Sequence, residues 1–209
     1  MRNHIQRPRM VDLPNLLESI SIPIGPQMSL GKSSGPSGNH VFFYDEVGPE
    51  NIATLIQELR ETKTNIRRTF SEWEDVVPPP IHLHIHSDGG DLLSGIAGGE
   101  TIRTLGLPVH THIEGSAASA ATVLSLAGTH RTITQKSFIL IHQISSDFWG
   151  KYDEMEDHKE NMDRFMKMMM DMYVDRTKLP KARLKEMLKR DLWFTSAEAL
   201  EYGLVDEVL

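Results

Sequence analysis

The 209-residue chain contains no cysteine. Disulfides, thiolate nucleophiles and cysteine-based zinc sites are therefore excluded, and a reducing compartment is compatible with that absence. No apolar run approaches the length of a membrane span. No Arg/Lys cluster interleaved with aromatics is present, and the formal net charge is −7. Nucleic-acid binding needs a basic face, so neither a nucleic-acid partner nor a membrane is expected. Arg2, Arg7 and Arg9 are followed by no apolar core, which excludes a secretory signal. Asp12 and Glu18 argue against an organelle transit segment. There is no internal repeat, and the length fits one domain with a full core.

Residues 1–39 differ from the rest. The stretch from Pro23 to Asn39 is rich in Pro, Gly and Ser and lacks an apolar period, so 1–39 reads as a flexible arm or pro-segment ahead of a domain over 40–209. The domain is organised around residues 81–127. Ile81, Leu83 and Ile85 alternate with His82, His84 and His86, the period of a strand with two unlike faces. Ser87-Asp88-Gly89-Gly90 ends it as a turn. Val109, Thr111 and Ile113 alternate with His110 and His112 as a second strand, running through Gly115 into an Ala-rich helix with Ser119 near its start. Strands ending on one edge and followed by helices set their two turns side by side.

On either side the pattern continues. His40–Tyr44 reads as a strand, and Pro49 opens a helix with Ile52, Leu55, Ile56 and Leu59 on one face. Residues 62–80 are charged and end in three prolines. Arg131–Ile133 and Phe138–Ile144 are short strand candidates, with His142 in the second. Asp153–Arg176 forms a long amphipathic helix whose Met155, Met162, Met166, Met169 and Tyr173 share a face. That stripe reads as packing surface, part of it suited to a second subunit. Thr195–Glu198 matches a capping box, and Gly203 ends its helix.

Several residues offer chemistry. Ser119 suits a nucleophile at a helix start, where an oxyanion would also be favoured, but equally suits a small packing residue. Ser116 competes with it as an N-cap. Gly89-Gly90 supplies unencumbered N–H donors or simply a tight turn. His142 is a general base or a satisfied strand histidine, and Asp191 an orienting carboxylate or an exposed charge. His84-Ile-His86-Ser-Asp88 partly resembles the HxHxDH run of zinc hydrolases, but Gly89 stands where the closing histidine belongs.

Together SDGG, GSAAS with Ser119 29 residues after Gly90, LIHQ and RDLWFTSAEALEYGLVD resemble the ClpP-like serine peptidases, the proteolytic subunits of the Clp protease. The resemblance spans roughly 40–209. It implies an α/β fold, the ClpP/crotonase-type ββα superhelix with a protruding strand–helix handle, here including Asp153–Arg176. It implies Ser119 as nucleophile, His142 as general base and Asp191 as the group orienting the imidazole. Gly90 and Ala120 would donate the oxyanion N–H groups, with no cofactor and no metal. Self-association into heptameric rings, with unfolded polypeptides or peptides as substrates and a cytoplasmic setting, follows from the same resemblance. Alternative settings are an organelle stroma or matrix and the cytoplasm of a virus-infected host. Alternative functions are an inactive ring subunit of the same fold and a zinc hydrolase using His84 and His86.

The chain departs from the family in places. Asp88 replaces a usual Pro, and a carboxylate there would oppose an oxyanion if it pointed inward. Ile144, Ser145 and Ser146 replace the Pro and Gly-Gly that commonly follow His-Gln. His82 and His84 replace aromatics that dock the Clp ATPase chaperone, which weakens the expectation of that partner.

Overall fold

A computed structural model describes residues 38–70 and 77–209. The arm read over 1–39 therefore lies outside the described residues except for Gly38 and Asn39. In order, the elements are β1 (His40–Phe43), α1 (Pro49–Phe70), β2 (Ile81–Ser87), α2 (Leu92–Thr104), β3 (Val109–Ala118) and α3 (Ala121–Leu126). There follow β4 (His130–Ile133), β5 (Phe138–Leu140), α4 (Tyr152–Arg176), α5 (Lys181–Met187), β6 (Trp193–Thr195), α6 (Ser196–Glu201) and β7 (Glu207–Val208).

The strands form one sheet in the order β1-β2-β3-β4-β7, all neighbours parallel, with β5 and β6 branching from β3. The branch point is the feature that positions the site. The first half of β3 pairs with β4 from His110 to Ile113, and its second half pairs with β5 from Ser116 to Ala118. Between the halves Gly115 takes φ +88, and a Cβ there would lie 2.7 Å from His86 Nδ1. A side chain at 115 would have to displace the His86 ring. Beside it β2 carries an irregularity between Ile85 and Ser87.

Alternation in β2 and β3 has the expected consequence. Ile81, Leu83, Ile85, Val109 and Ile113 are buried with Leu55, Leu59 and Leu124 in the main core. The histidines occupy the other face. His40, His82, His110 and His130 stand in register across four strands, and Phe42, His84, His112 and Thr132 form the next row.

The first helix runs on into the charged stretch, where Thr62 and Ile66 continue the buried face of Ile52, Leu55 and Leu59. Two elements differ from expectation. Ser116 does not cap a helix. It lies in β3, where its N–H donates to His86 Nδ1 at 3.2 Å. β5 ends at Leu140, so His142 follows the strand rather than sitting in it.

The methionine stripe of α4 is graded along the helix. Met169 and Tyr173 are buried in the core, Met162 and Met166 are half-buried, and Met155 is exposed. Residues 141–151 ahead of α4 carry no regular element. They present Trp149 97% exposed, so the first half of the helix and its approach stand clear of the core.

The capping box is present as read. Thr195 Oγ1 accepts from Glu198 N–H at 3.4 Å, and the Glu198 carboxylate accepts from Thr195 N–H at 2.8 Å. The far end of the sheet is clipped by Arg131. Its guanidinium donates to both Asp206 oxygens at 3.0 and 2.6 Å and to the Arg176 carbonyl at 2.8 Å. Arg131→Ala is expected to cost about 1–2 kcal/mol by urea denaturation, because three charge-assisted bonds are lost together.

Candidate active site

Strand register alone brings the sequence-predicted residues together. Ser87 pairs with Ala117, so the glycine turn two residues after Ser87 lies beside Ser119, two residues after Ala117. Ala118 pairs with Leu140, and the Ser119 N–H donates to the Leu140 carbonyl at 2.9 Å. Leu140 in turn pairs with Trp193 in antiparallel register. Two residues past Leu140 and two residues before Trp193, that register sets His142 opposite Asp191. Their closest atoms are His142 Nδ1 and Asp191 Oδ1, 3.9 Å apart.

Ser119 occupies the turn between β3 and α3, one residue ahead of the N-cap Ala120, rather than the first turn of the helix. Its φ of +52 is the only positive value among the described non-glycine residues. A sharp left-handed strand-to-helix turn lifts a hydroxyl off the sheet edge into the space beyond it.

Gly90 is held by the segment after β1. Val47 N–H donates to the Gly89 carbonyl at 2.7 Å, and Asp91 N–H donates to the Val47 carbonyl at 2.7 Å. In such a parallel bridge the flanking residues make the bonds, so the N–H of Gly90 itself faces away from Val47. Neither the Gly90 nor the Ala120 N–H is engaged by a hydrogen bond among the described residues. Asp91 caps α2 by accepting from Ser94 N–H at 2.7 Å and Ser94 Oγ at 2.6 Å, which fixes the helix immediately after the turn.

These pieces line one cavity of about 260 Å³, with Gly90, Ser119, Ala120 and His142 all in its wall. Its apolar part comes from Val123, Ile144, Met162, Phe165 and Met169. The chain after His142 is tied to two helices. Gln143 N–H donates to the Leu188 carbonyl at 2.8 Å, and Ile144 N–H to Met166 Sδ at 3.3 Å.

The third residue is the loosest. The Asp191 side chain is 80% exposed against 24% for His142. No hydrogen bond joins Ser119 Oγ to His142 among the described residues. Asp88 is exposed and is not part of the cavity wall, so its carboxylate does not oppose charge developing there.

The histidines of the metal alternative face elsewhere. His84 Nδ1 bonds Glu114 at 2.8 Å and its Nε2 bonds His40 at 2.8 Å, whereas His86 bonds the Ser116 backbone. Among the described residues no group of three His, Asp or Glu side chains is arranged to hold a metal ion. Sequence reasoning passed over Val47, Asp91 and Thr122, and read Tyr173 only as part of the α4 packing stripe. Only Asp91 carried a local signal, an Asp three residues before a Ser at a helix start.

Among the described residues no helix is long and apolar enough to cross a membrane. The family profile described as Clp protease matches residues 46–209. Among solved structures, a mutant ClpP1 from Listeria monocytogenes superposes with a TM-score of 0.71 at 21% sequence identity, over 82% of this chain and 91% of that one. The α/β architecture with its branching parallel sheet is thus the ClpP-type fold. With most of its length matched and the sheet, turns and cavity arranged as described, the chain belongs to the Clp protease family.

Proposed function

We propose that the chain is a serine endopeptidase subunit that cleaves peptide bonds through an acyl-enzyme. The observation that carries this reading is the single cavity walled by Gly90, Ser119, Ala120 and His142. In the proposed reaction His142 Nδ1 faces Asp191, leaving Nε2 to take the Ser119 proton. Ser119 Oγ attacks the scissile carbonyl, and the unengaged N–H groups of Gly90 and Ala120 receive the oxyanion. The imidazolium then protonates the leaving amine, and water activated by His142 releases the acyl group. Bond cleavage needs no nucleotide. An ATPase partner, which would make the cleavage of folded proteins ATP-dependent, is a further proposal from family membership, as is assembly into rings.

A fluorophosphonate probe applied to the assembled protein is expected to form one adduct, mapping to Ser119 and absent from Ser119→Ala. Labelling that persists in that variant would sink the assignment. A second reading, a non-catalytic ring subunit, is favoured by the 3.9 Å separation of His142 from an exposed Asp191. Absence of any adduct on the intact oligomer would select it.

A further inference from the structure

Behind Ser119 lies a pair of hydroxyls that the proposed acyl transfer does not use. Thr122 and Tyr173 are each 2% exposed. Thr122 Oγ1 stands 2.6 Å from the Ser119 carbonyl oxygen, which can only accept, so the Thr122 hydroxyl donates. Its one proton is thereby committed. The Tyr173 hydroxyl, bonded to the same Thr122 oxygen, must be the donor of that second bond. The order is therefore fixed: Tyr173 O–H to Thr122 O–H to Ser119 C=O. Complete burial pushes the Tyr173 phenol up to about 12, so it keeps the proton that the chain of bonds requires.

The Ser119 carbonyl also accepts from Thr122 N–H at 3.0 Å, while the Ser119 N–H is held by Leu140. Both peptide groups of the residue are thus fixed. Such fixing has a reason at this position alone, because a left-handed backbone is unfavourable for a residue with a Cβ and persists only where its surroundings over-determine it. One backbone bond closes the turn. The second donor on the same carbonyl holds the peptide plane after Ser119. With the Ser119 N–H held by Leu140, both planes flanking its Cα, and so the direction of Cβ, are set.

We infer that Thr122 and Tyr173 are positioning residues that hold Ser119 in its left-handed conformation and aim its hydroxyl into the cavity. The kinetic consequence rests on Ser119 being the nucleophile proposed above. Tyr173 lies in the buried last turns of α4, which also lends Met162, Phe165 and Met169 to the cavity wall, so a displacement of that helix reaches both Ser119 and the cavity.

The double variant Thr122→Val/Tyr173→Phe removes both hydroxyls at nearly constant shape and leaves no buried partner unpaired. Thr122→Ser keeps the donor. With the fluorophosphonate probe, the double variant is expected to lose tenfold or more in the limiting acylation rate with little change in the half-saturating concentration, and Thr122→Ser to react within about twofold of the native protein. In a crystal structure of the double variant, Ser119 is expected at negative φ or in two conformations. A double variant that acylates at the native rate and keeps Ser119 left-handed overturns the inference. If the native protein forms no adduct at Ser119, the proposed function falls, and the Ser119 conformation in the double variant still decides the positioning claim.

Discussion

Replacing Gly90 by alanine is expected to abolish the acylation proposed for Ser119 and to destabilise the protein by about 3 kcal/mol or more. Gly90 has φ +141, a region essentially closed to residues with a Cβ. A Cβ there would meet the Val47 carbonyl oxygen far inside van der Waals contact and lie 3.1 Å from its carbonyl carbon. Neither atom belongs to a side chain that could swing away. The strand bonds on both sides of Gly90 pin Val47 to Gly89 and Asp91, so relief requires breaking them. Moving this peptide also removes one of two proposed oxyanion donors, and the loss of one such donor costs about 10²–10³ in rate. Urea denaturation and probe labelling together check both halves. A Gly90→Ala protein with native stability that labels within threefold of the native rate would contradict them.

Acid is expected to weaken the fold well above the pH at which carboxylates protonate. The rings on the outer sheet face bond one another directly: His40 Nδ1 to His84 Nε2 at 2.8 Å, and His82 Nδ1 to His112 Nε2 at 2.8 Å. Each contact needs one ring nitrogen as donor and the other as acceptor, so a pair tolerates one added proton but not two. Burial, then the neighbouring His84, His82 and His110, pushes His112 down to about 4. Burial also lowers His82 and His110. Glu114 faces His84 and accepts from Tyr44, and Glu207 faces His130 at the margin. Burial works against the Glu114 carboxylate, but the bonds from Tyr44 and His84 hold it below its usual range.

The sign follows from counting protons. Below about pH 6.5 the unfolded chain binds protons that the folded histidine face refuses, so stability is full above that pH and falls as pH drops toward 4. Discounted for partial exposure, His112 alone accounts for roughly 1–2 kcal/mol. Urea midpoints should decline between pH 7 and 5, and His82→Phe/His112→Phe should flatten that decline. An unchanged midpoint over this interval would refute the prediction. Glu114 and Asp206 are held low, so their stabilisation is fully present above the ordinary carboxylate range and is lost only as pH falls below it.

The two central strands were legible because their alternation is local. Ile81 to His86 and Val109 to Ile113 announce both their period and their faces within a few residues. Ser119 was harder to place. Ser116-Ala117-Ala118 has the small-residue composition of a helix start, yet pairing with β5 keeps it extended as far as Ala118. Thr62 hid the last turns of α1, since a buried threonine breaks an apolar pattern without breaking the helix. The approach of His142 to Asp191 is a matter of register between strands more than fifty residues apart. No local pattern encodes that register, which is why resemblance rather than spacing singled out those two residues. The histidine network was invisible for the same reason. Each ring could be assigned to a strand face, but its partner depends on how four strands align.

The forked pairing of β3 also sets when the cavity can exist. Its two walls meet only after β5 has docked beside β3, and β5 is itself completed by β6, the strand that Asp191 precedes by two residues. Contacts of this range form late in folding and cannot form on a ribosome before the distal strand has emerged. A chain extended only as far as Ala127 could pair β2 with β3 and so bring Gly90 beside Ser119 and Ala120, but it would lack His142 and Asp191. A subunit built this way makes no working cleft while it is still being synthesised beside other unfolded chains.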